Sequence, residues 1–257
     1  MEGTEISVLM LSTCISGTLL YSRDSPLNNL ALSPTVRSLL MGTAVAITAF
    51  LVITSPLGRK SGAHMNPAIT GTFFWLGRVH RWDAAFYVAA HFLGAVVGML
   101  VARKILGVQL SAPPVQYLIT VPGMYGSPAA LLAVFALSAV LMGVVLYASN
   151  HRFLTRLTPV FVALLTVLYY AVSSSIAGYS VNPARSFASA LFAWIWRGIW
   201  IYCVAPGLGM LIAATIYVKL MGSNSVYCAK IFHDLQSTCP FPCRFERLYR
   251  QREGRLQ

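Results

Sequence analysis

The chain has 257 residues, of which 57% are hydrophobic and only 10% are charged, and its formal net charge is +12. Soluble domains carry about 25% charged residues, so the composition excludes an ordinary soluble protein. Most of the positive charge lies in short loops and a basic tail, which is typical of a membrane surface, and we expect no nucleic-acid partner. The sequence therefore predicts an all-α membrane protein embedded in a lipid bilayer.

Six long segments contain no Asp, Glu, Lys or Arg, and each approaches the ~20 residues that a membrane-spanning helix needs. In chain order they are 6–20, 39–53, 84–102, 129–148, 160–175 and 199–218. Cationic residues concentrate after the second, fourth and sixth segments, which predicts that both termini lie in the cytoplasm. The acidic first residues do not resemble a cleaved signal peptide. We expect a multi-pass protein, placed in the cell membrane, with six transmembrane helices.

The triplet Asn-Pro-Ala occurs twice, and each copy stands four residues after a glycine. The copies are Asn66-Pro67-Ala68 and Asn182-Pro183-Ala184. Asn is a favoured helix N-cap and Pro a favoured first helical residue, so each triplet predicts the start of a helix. The apolar stretch after each triplet is too short to cross a bilayer, which predicts two re-entrant half-helices.

The chain divides into two matching halves, residues 5–104 and 128–221, each with three spans and one half-helix. Because three crossings are an odd number, the second half is inverted relative to the first. The half-helices then enter from opposite faces, and their N-termini meet near the centre of the bilayer. Irregular backbone at that depth needs a wet cavity or surrounding protein, so the repeat predicts a pore.

The paired triplets suggest how this pore would act on a solute. Each Asn oxygen is expected to accept an N–H of its own half-helix, which turns the amide NH2 toward the pore. The carbonyl groups of 62–65 and 178–181 would line the pore as acceptors. The positive ends of the two half-helices would repel cations at the same place.

Segments 61–70 and 178–187, which contain the triplets, resemble the signature loops of the aquaporins, or major intrinsic proteins. The similarity covers about residues 5–221. It implies an hourglass pore in each subunit, a homotetramer, and passive flow of water or small neutral solutes without a cofactor or enzymatic chemistry. It also implies an outer selectivity filter made of Arg185, Tyr170, Tyr179 and Ala46. A shift of one residue would place Val45 at the last of these positions.

Ser186 follows Arg185 directly, as in the water channels of this family, whereas glycerol conductors usually have Asp there. Tyr170 and Ala46 depart from both patterns. We therefore expect a water channel, with a facilitator of glycerol or other small neutral solutes as the alternative. A non-conducting scaffold or adhesion protein of the same fold is a third hypothesis. The resemblance further implies that Glu5 supports a re-entrant loop by accepting its backbone N–H groups, with no matching acid in the fourth span.

Beyond the channel domain, residues 1–221, lies a basic tail, residues 222–257. It contains three cysteines and one histidine, a set of ligands that suits zinc: Cys228, His233, Cys239 and Cys243. Disulfides are disfavoured in the reducing cytoplasm. Because the spacing is not that of a standard zinc finger, free thiols in a flexible tail are the alternative to a zinc site.

Overall fold

The computed structural model describes residues 1–178, 180–233 and 239–246, and these residues contain α-helices and short 3₁₀ turns but no strand. The α-helices in chain order are α1 (Glu2–Tyr21), α2 (Pro34–Thr54), α3 (Pro56–Ser61), α4 (Pro67–Trp75), α5 (Arg81–Leu106), α6 (Val108–Ser111), α7 (Gly126–Ser149), α8 (Thr158–Ala177), α9 (Pro183–Ala193) and α10 (Ile199–Met221).

Six of the described helices are long and apolar enough to cross a membrane: α1, α2, α5, α7, α8 and α10. Each contains one of the uncharged segments predicted from the sequence, and these predictions are confirmed. The helices α4 and α9 have 9 and 11 residues, so the longer one rises only about 17 Å and cannot span a bilayer. These two are the half-helices that begin at the repeated triplets.

The helix pairs show the inverted repeat. In the first half α1 packs against α5, and in the second half α7 packs against α10 in the same way. The middle spans of the two halves, α2 and α8, pack against each other, and the half-helices α4 and α9 meet. Each half therefore uses the same internal contacts, and the halves join through equivalent elements.

Glycines make the close approach possible in both halves. A Cβ atom on Gly94 would lie 2.2 Å from the carbonyl oxygen of Gly3. In the second half, a Cβ atom on Gly209 would lie 2.3 Å from the carbonyl oxygen of Phe135. Because packing rather than exclusion of water holds helices together in lipid, these small residues stabilise equivalent helix pairs.

The described part of the tail, residues 222–233 and 239–246, packs onto the helical bundle. Val226, Ala229, Ile231 and Phe241 are buried in the same apolar cluster as residues of α1, α4 and α5. The backbone N–H of Tyr227 donates to Asn150 Oδ1 over 2.7 Å, which ties the tail to the connection between α7 and α8. This part of the tail is thus seated on the bundle.

Candidate functional site

The two half-helices begin at asparagine caps, as the sequence predicts. Asn66 Oδ1 accepts the N–H of Ala68 over 2.9 Å, and Asn182 Oδ1 accepts the N–H of Ala184 over 3.1 Å. A proline occupies the start of each helix, where its missing N–H costs nothing. The caps therefore fix the direction of both asparagine side chains.

The amide groups of the two caps also bond across to the opposite loop. Asn66 Nδ2 donates to the Val181 carbonyl over 3.1 Å, and Asn182 Nδ2 donates to the Met65 carbonyl over 2.7 Å. Each acceptor is the residue just before the other asparagine. An amide NH2 has two donors, so each cap keeps one N–H beyond this cross-bond. Sequence reasoning missed the cross-bonds because they exist only once the two halves are assembled.

A cavity of about 150 Å³ runs along the paired caps. We call the part lined by Arg185 and Tyr170 the filter end, and the part lined by His64 and Ile231 the tail-side mouth. Apolar side chains of α7 and α8 also line the cavity: Val134, Leu137, Leu141, Val145 and Val162. The cavity has room for several water molecules, and both polar groups and hydrocarbon line it.

Arg185 provides the positive charge at the filter end. Its side chain is 6% exposed and lines the cavity, and Nη1 lies 3.5 Å from Thr120 Oγ1. Nε and Nη2 have no hydrogen-bond partner among the described residues. A buried guanidinium is costly unless its donors are satisfied, so these N–H groups favour a polar occupant of the cavity.

The structure separates the other predicted filter residues. Tyr170 lines the cavity and packs against Val45, which also lines it. Ala46 is buried but is not among the cavity-lining residues. It lies one turn after Gly42, on the helix face where a Cβ at Gly42 would meet Tyr170 and α8. The geometry thus favours the one-residue shift to Val45, and Tyr179 lies outside the described residues.

Ser186 acts on the loop before Asn182 rather than on the cavity directly. Its buried hydroxyl donates to Ser180 Oγ over 2.7 Å and lies 3.0 Å from Thr120 Oγ1, which donates to it. Ser180 in turn accepts the N–H of Asn182 over 3.2 Å. This chain of hydroxyls holds the second loop in place.

The backbone N–H groups of the first loop donate to Glu2, so the expectation that Glu5 accepts them is wrong. The N–H groups of His64 and Met65 donate to the Glu2 carboxylate over 3.0 and 2.7 Å. His91 Nε2 lies 2.7 Å from the same carboxylate. Glu5, one turn further along α1, instead accepts the Ser61 hydroxyl over 2.7 Å. The sequence shows two acids on one helix face and cannot tell which of them reaches the loop.

The tail brings its predicted ligands together. The ligand atoms of Cys228, His233, Cys239 and Cys243 all lie within 4.8 Å of one another. Hydrogen bonds from Cys228 and Cys239 lower the pKa of the Cys243 thiol below its usual range. The sequence spacing alone did not establish this proximity.

A bundle of spanning helices that encloses a cavity along two opposed half-helices has the structure of a membrane channel. The comparison with known families identifies which one. The family model described as Major intrinsic protein matches residues 6–217, and the chain belongs to this family. It is therefore an integral, multi-pass membrane protein of a channel family, whose members are channels rather than enzymes.

Relatives and solved structures agree with this family. A probable aquaporin of the NIP type from Nicotiana alata is 32% identical over 170 residues, which are 65% of this chain and 60% of that protein. The probable aquaporin NIP7-1 of Arabidopsis thaliana is 32% identical over 176 residues, 67% of this chain and 62% of that protein. The matched region thus spans only about 60% of the length of these relatives.

The X-ray structure of the aquaglyceroporin from Plasmodium falciparum superposes with a TM-score of 0.68 at 20% identity. The superposition covers 86% of this chain and 94% of that chain. At this identity the likeness supports the fold.

Proposed function

We propose that the protein is a passive water channel that excludes ions and protons. The observation that carries this proposal is a single cavity lined by both asparagine caps and by Arg185, whose Nε and Nη2 have no hydrogen-bond partner among the described residues. A water molecule at the caps can accept the remaining N–H of Asn66 and of Asn182. Its oxygen is then directed at the caps and its hydrogens away from them.

Exclusion of ions follows from the charge around this water. The N-termini of α4 and α9 each add roughly half a positive charge at the caps, and Arg185 adds a full charge at the filter end. No Asp or Glu stands among the described residues that line the cavity. Cations therefore meet an uncompensated barrier. A central water held only as an acceptor cannot relay a proton along the file. Conduction by this mechanism requires no cofactor.

The second candidate function is passage of glycerol or another small neutral solute. One comparison favours it, because the matched structure is titled an aquaglyceroporin. The small Val45, which packs against Tyr170, also leaves the filter less crowded than an aromatic residue at that position would. Ser186 favours water, because the water channels that the chain resembles have Ser directly after this arginine, whereas glycerol conductors usually have Asp.

We propose that the channel assembles as a homotetramer in the cell membrane. Both termini then lie in the cytoplasm. The orientation rests on basic residues near the tail: Arg59 and Lys60 in α3 and Arg152 and Arg156 in the connection bonded to Tyr227. Basic loops stay on the cytoplasmic side. The tetramer rests on family membership alone, and cross-linking of the purified protein in detergent would test it.

Osmotic measurements on reconstituted vesicles test the function. With sucrose outside, vesicles that contain the protein should shrink much faster than protein-free vesicles and with a low activation energy. With glycerol outside, they should shrink and then stay small. Rapid re-swelling in glycerol would favour the second candidate, and shrinkage no faster than in protein-free vesicles would contradict both.

A further inference from the structure

The four ligands of the tail form a donor set that suits a structural zinc ion. Three sulfurs and one imidazole are a common tetrahedral combination for zinc, with Zn–S distances of about 2.3 Å. Cys228 Sγ and Cys239 Sγ lie 3.3 Å apart, and His233 Nε2 lies 3.2 Å from Cys243 Sγ. The separation of the two sulfurs is too long for a disulfide, whose sulfurs are about 2.05 Å apart. Both separations are close to those of ligands that surround one ion.

The surroundings of the ligands are those of a built site. The backbone N–H of Lys230 donates to Cys228 Sγ over 3.5 Å, and that of Phe245 donates to Cys243 Sγ over 3.4 Å. Such N–H···S bonds stabilise thiolate ligands. The Phe245 ring stacks on the His233 ring with centroids 4.1 Å apart and an interplanar angle of 12°, which fixes the imidazole.

The chain between the first two ligands is seated at the tail-side mouth. The N–H of Ile231 donates to the Gly62 carbonyl over 3.1 Å, and His64 Nε2 lies 2.8 Å from the Ala229 carbonyl. Ile231 is buried and forms part of the cavity wall. The tail thus donates a hydrogen bond to the Gly62 carbonyl of the first loop, and it places the apolar side chain of Ile231 where the passage would open.

The chain between the last two ligands adds a second contact. The Phe241 ring stacks on His64 with centroids 5.5 Å apart and an interplanar angle of 2°. His64 also stacks on Phe73 of α4, at 5.3 Å. A Cβ atom on Gly62 would lie 2.8 Å from the Phe241 ring, so the loop is shaped to receive it.

We propose that Cys228, His233, Cys239 and Cys243 bind one zinc ion, and that this ion locks the tail across the tail-side mouth and restricts flow. The lock follows from the chain order, because Ala229 and Ile231 lie between Cys228 and His233, and Phe241 lies between Cys239 and Cys243. One ion therefore closes both short loops and reduces the entropy cost of seating them. The restriction of flow rests on the proposed channel function, whereas the metal site and the lock do not.

Metal content of the purified full-length protein tests the site. After incubation with Zn²⁺ and removal of free ion, the protein should hold about one zinc per chain, as a closed four-ligand site requires. The variants Cys239→Ser and Cys243→Ser should lose most of it. Cys203→Ser is the matched control, because Cys203 is an exposed thiol on α10 away from the group. Absence of bound zinc, or equal zinc in all variants, would overturn the site.

Hydrogen exchange of the peptide that contains residues 229–231 tests the lock without any transport. With zinc bound, the Ile231 amide should be protected by its bond to Gly62, and chelation should remove most of that protection. Cys239→Ser should exchange rapidly with or without zinc. Protection that is unchanged by chelation would overturn the lock even if zinc binds.

Osmotic shrinkage of vesicles tests the restriction of flow. If the seated tail prevails in the zinc-loaded protein, chelation should raise water permeability roughly fivefold. Ile231→Ala should keep its zinc and conduct at the higher rate in both states. Equal permeability with and without zinc in a conducting wild type would overturn the restriction. If Ile231→Ala also shows no water permeability above that of protein-free vesicles when zinc is absent, the proposed channel function fails. The metal content and the hydrogen exchange then still decide the site and the lock.

Discussion

The two re-entrant loops have the same motif but different hydrogen-bond partners, a charged carboxylate in one loop and neutral groups in the other. In the first loop, residues 62–65, a buried carboxylate accepts two backbone N–H groups and lies against His91. In the second loop, residues 178–181, the described partners other than the Asn66 amide are hydroxyl groups. Ser173 donates to the Gly178 carbonyl over 2.8 Å, and Ser186 donates to Ser180 over 2.7 Å. The corresponding position in the fourth span is apolar, at Val134.

This difference shows that one backbone geometry can be held by charged or by neutral partners. Loops at this depth must have their polar groups satisfied, but the requirement does not specify the partner. The neutral solution lies in the half that contains Arg185. Because hydroxyl groups add no negative charge there, the positive potential of the guanidinium is not offset. The acidic partner, Glu2, lies in the other half of the chain, next to His91.

The strongest test of this comparison is to truncate the acid of the first loop. Glu2→Ala would leave the N–H groups of His64 and Met65 and the His91 ring without their acceptor. Each lost partner costs about 1–3 kcal/mol, so we expect the free energy of unfolding to fall by about 3–5 kcal/mol. Thermal unfolding of the protein in detergent measures this loss.

Glu5→Ala is the matched control, because Glu5 lies one turn away on the same helix and accepts only the Ser61 hydroxyl in the described structure. Its loss should be at least about 1 kcal/mol smaller than that of Glu2→Ala. Glu2→Gln keeps one carbonyl oxygen and should fall between the two alanine variants. Equal losses at positions 2 and 5 would contradict the assignment of Glu2.

Glu2 and Glu5 also show where the sequence stops being informative. The spans and the half-helices could be predicted, because apolar composition and asparagine caps act within a few residues. The choice between Val45 and Ala46 depends on the rotation of a helix by about 100° per residue, and the choice between Glu2 and Glu5 depends on how far along the helix axis the loop lies. Composition reveals neither.

The seating of the tail could not be predicted for a related reason. The Cys and His residues suggested a metal, but nothing in their spacing pointed to the first loop. The contacts of Ile231 with Gly62 and of Phe241 with His64 join positions far apart in the chain. Without the structure, a basic, polar tail has the composition of a flexible one.

The hydroxyl support of the second loop can be broken with Ser186→Ala. This change leaves Ser180 without its donor and Thr120 without its acceptor, and we expect a loss of about 1–2 kcal/mol in the free energy of unfolding. Ser189→Ala, in the same half-helix, is the control. Ser189 is equally buried, but its hydroxyl has no partner among the described residues, so its loss should be close to zero. Similar unfolding temperatures for the two variants would argue against the hydroxyl chain.

Removing the positive charge of Arg185, which the hydroxyl groups of the second loop do not offset, should change the selectivity of the channel between water and glycerol. In Arg185→Val the filter end loses its largest polar side chain and its positive charge. We expect glycerol permeability to rise roughly tenfold, which corresponds to a barrier lower by about 1.4 kcal/mol. Arg197→Val is the control, since Arg197 is exposed and does not line the cavity. Vesicle re-swelling in glycerol measures both, and equal re-swelling of the two variants would remove Arg185 from the filter.

The smallest expected effect is the difference between the two caps. Asn182 Oδ1 accepts two N–H groups, those of Ala184 and Arg185, whereas Asn66 Oδ1 accepts only that of Ala68 in the described structure. Asn182→Ala should therefore cost about 0.5 kcal/mol more than Asn66→Ala, since the extra bond, at 3.4 Å, is long. Because the two cross-bonds tie the same pair of loops, the double variant should cost less than the sum of the single ones. Exact additivity in thermal unfolding would mean that the loops are held independently, and the cross-bonds would then not couple the two halves.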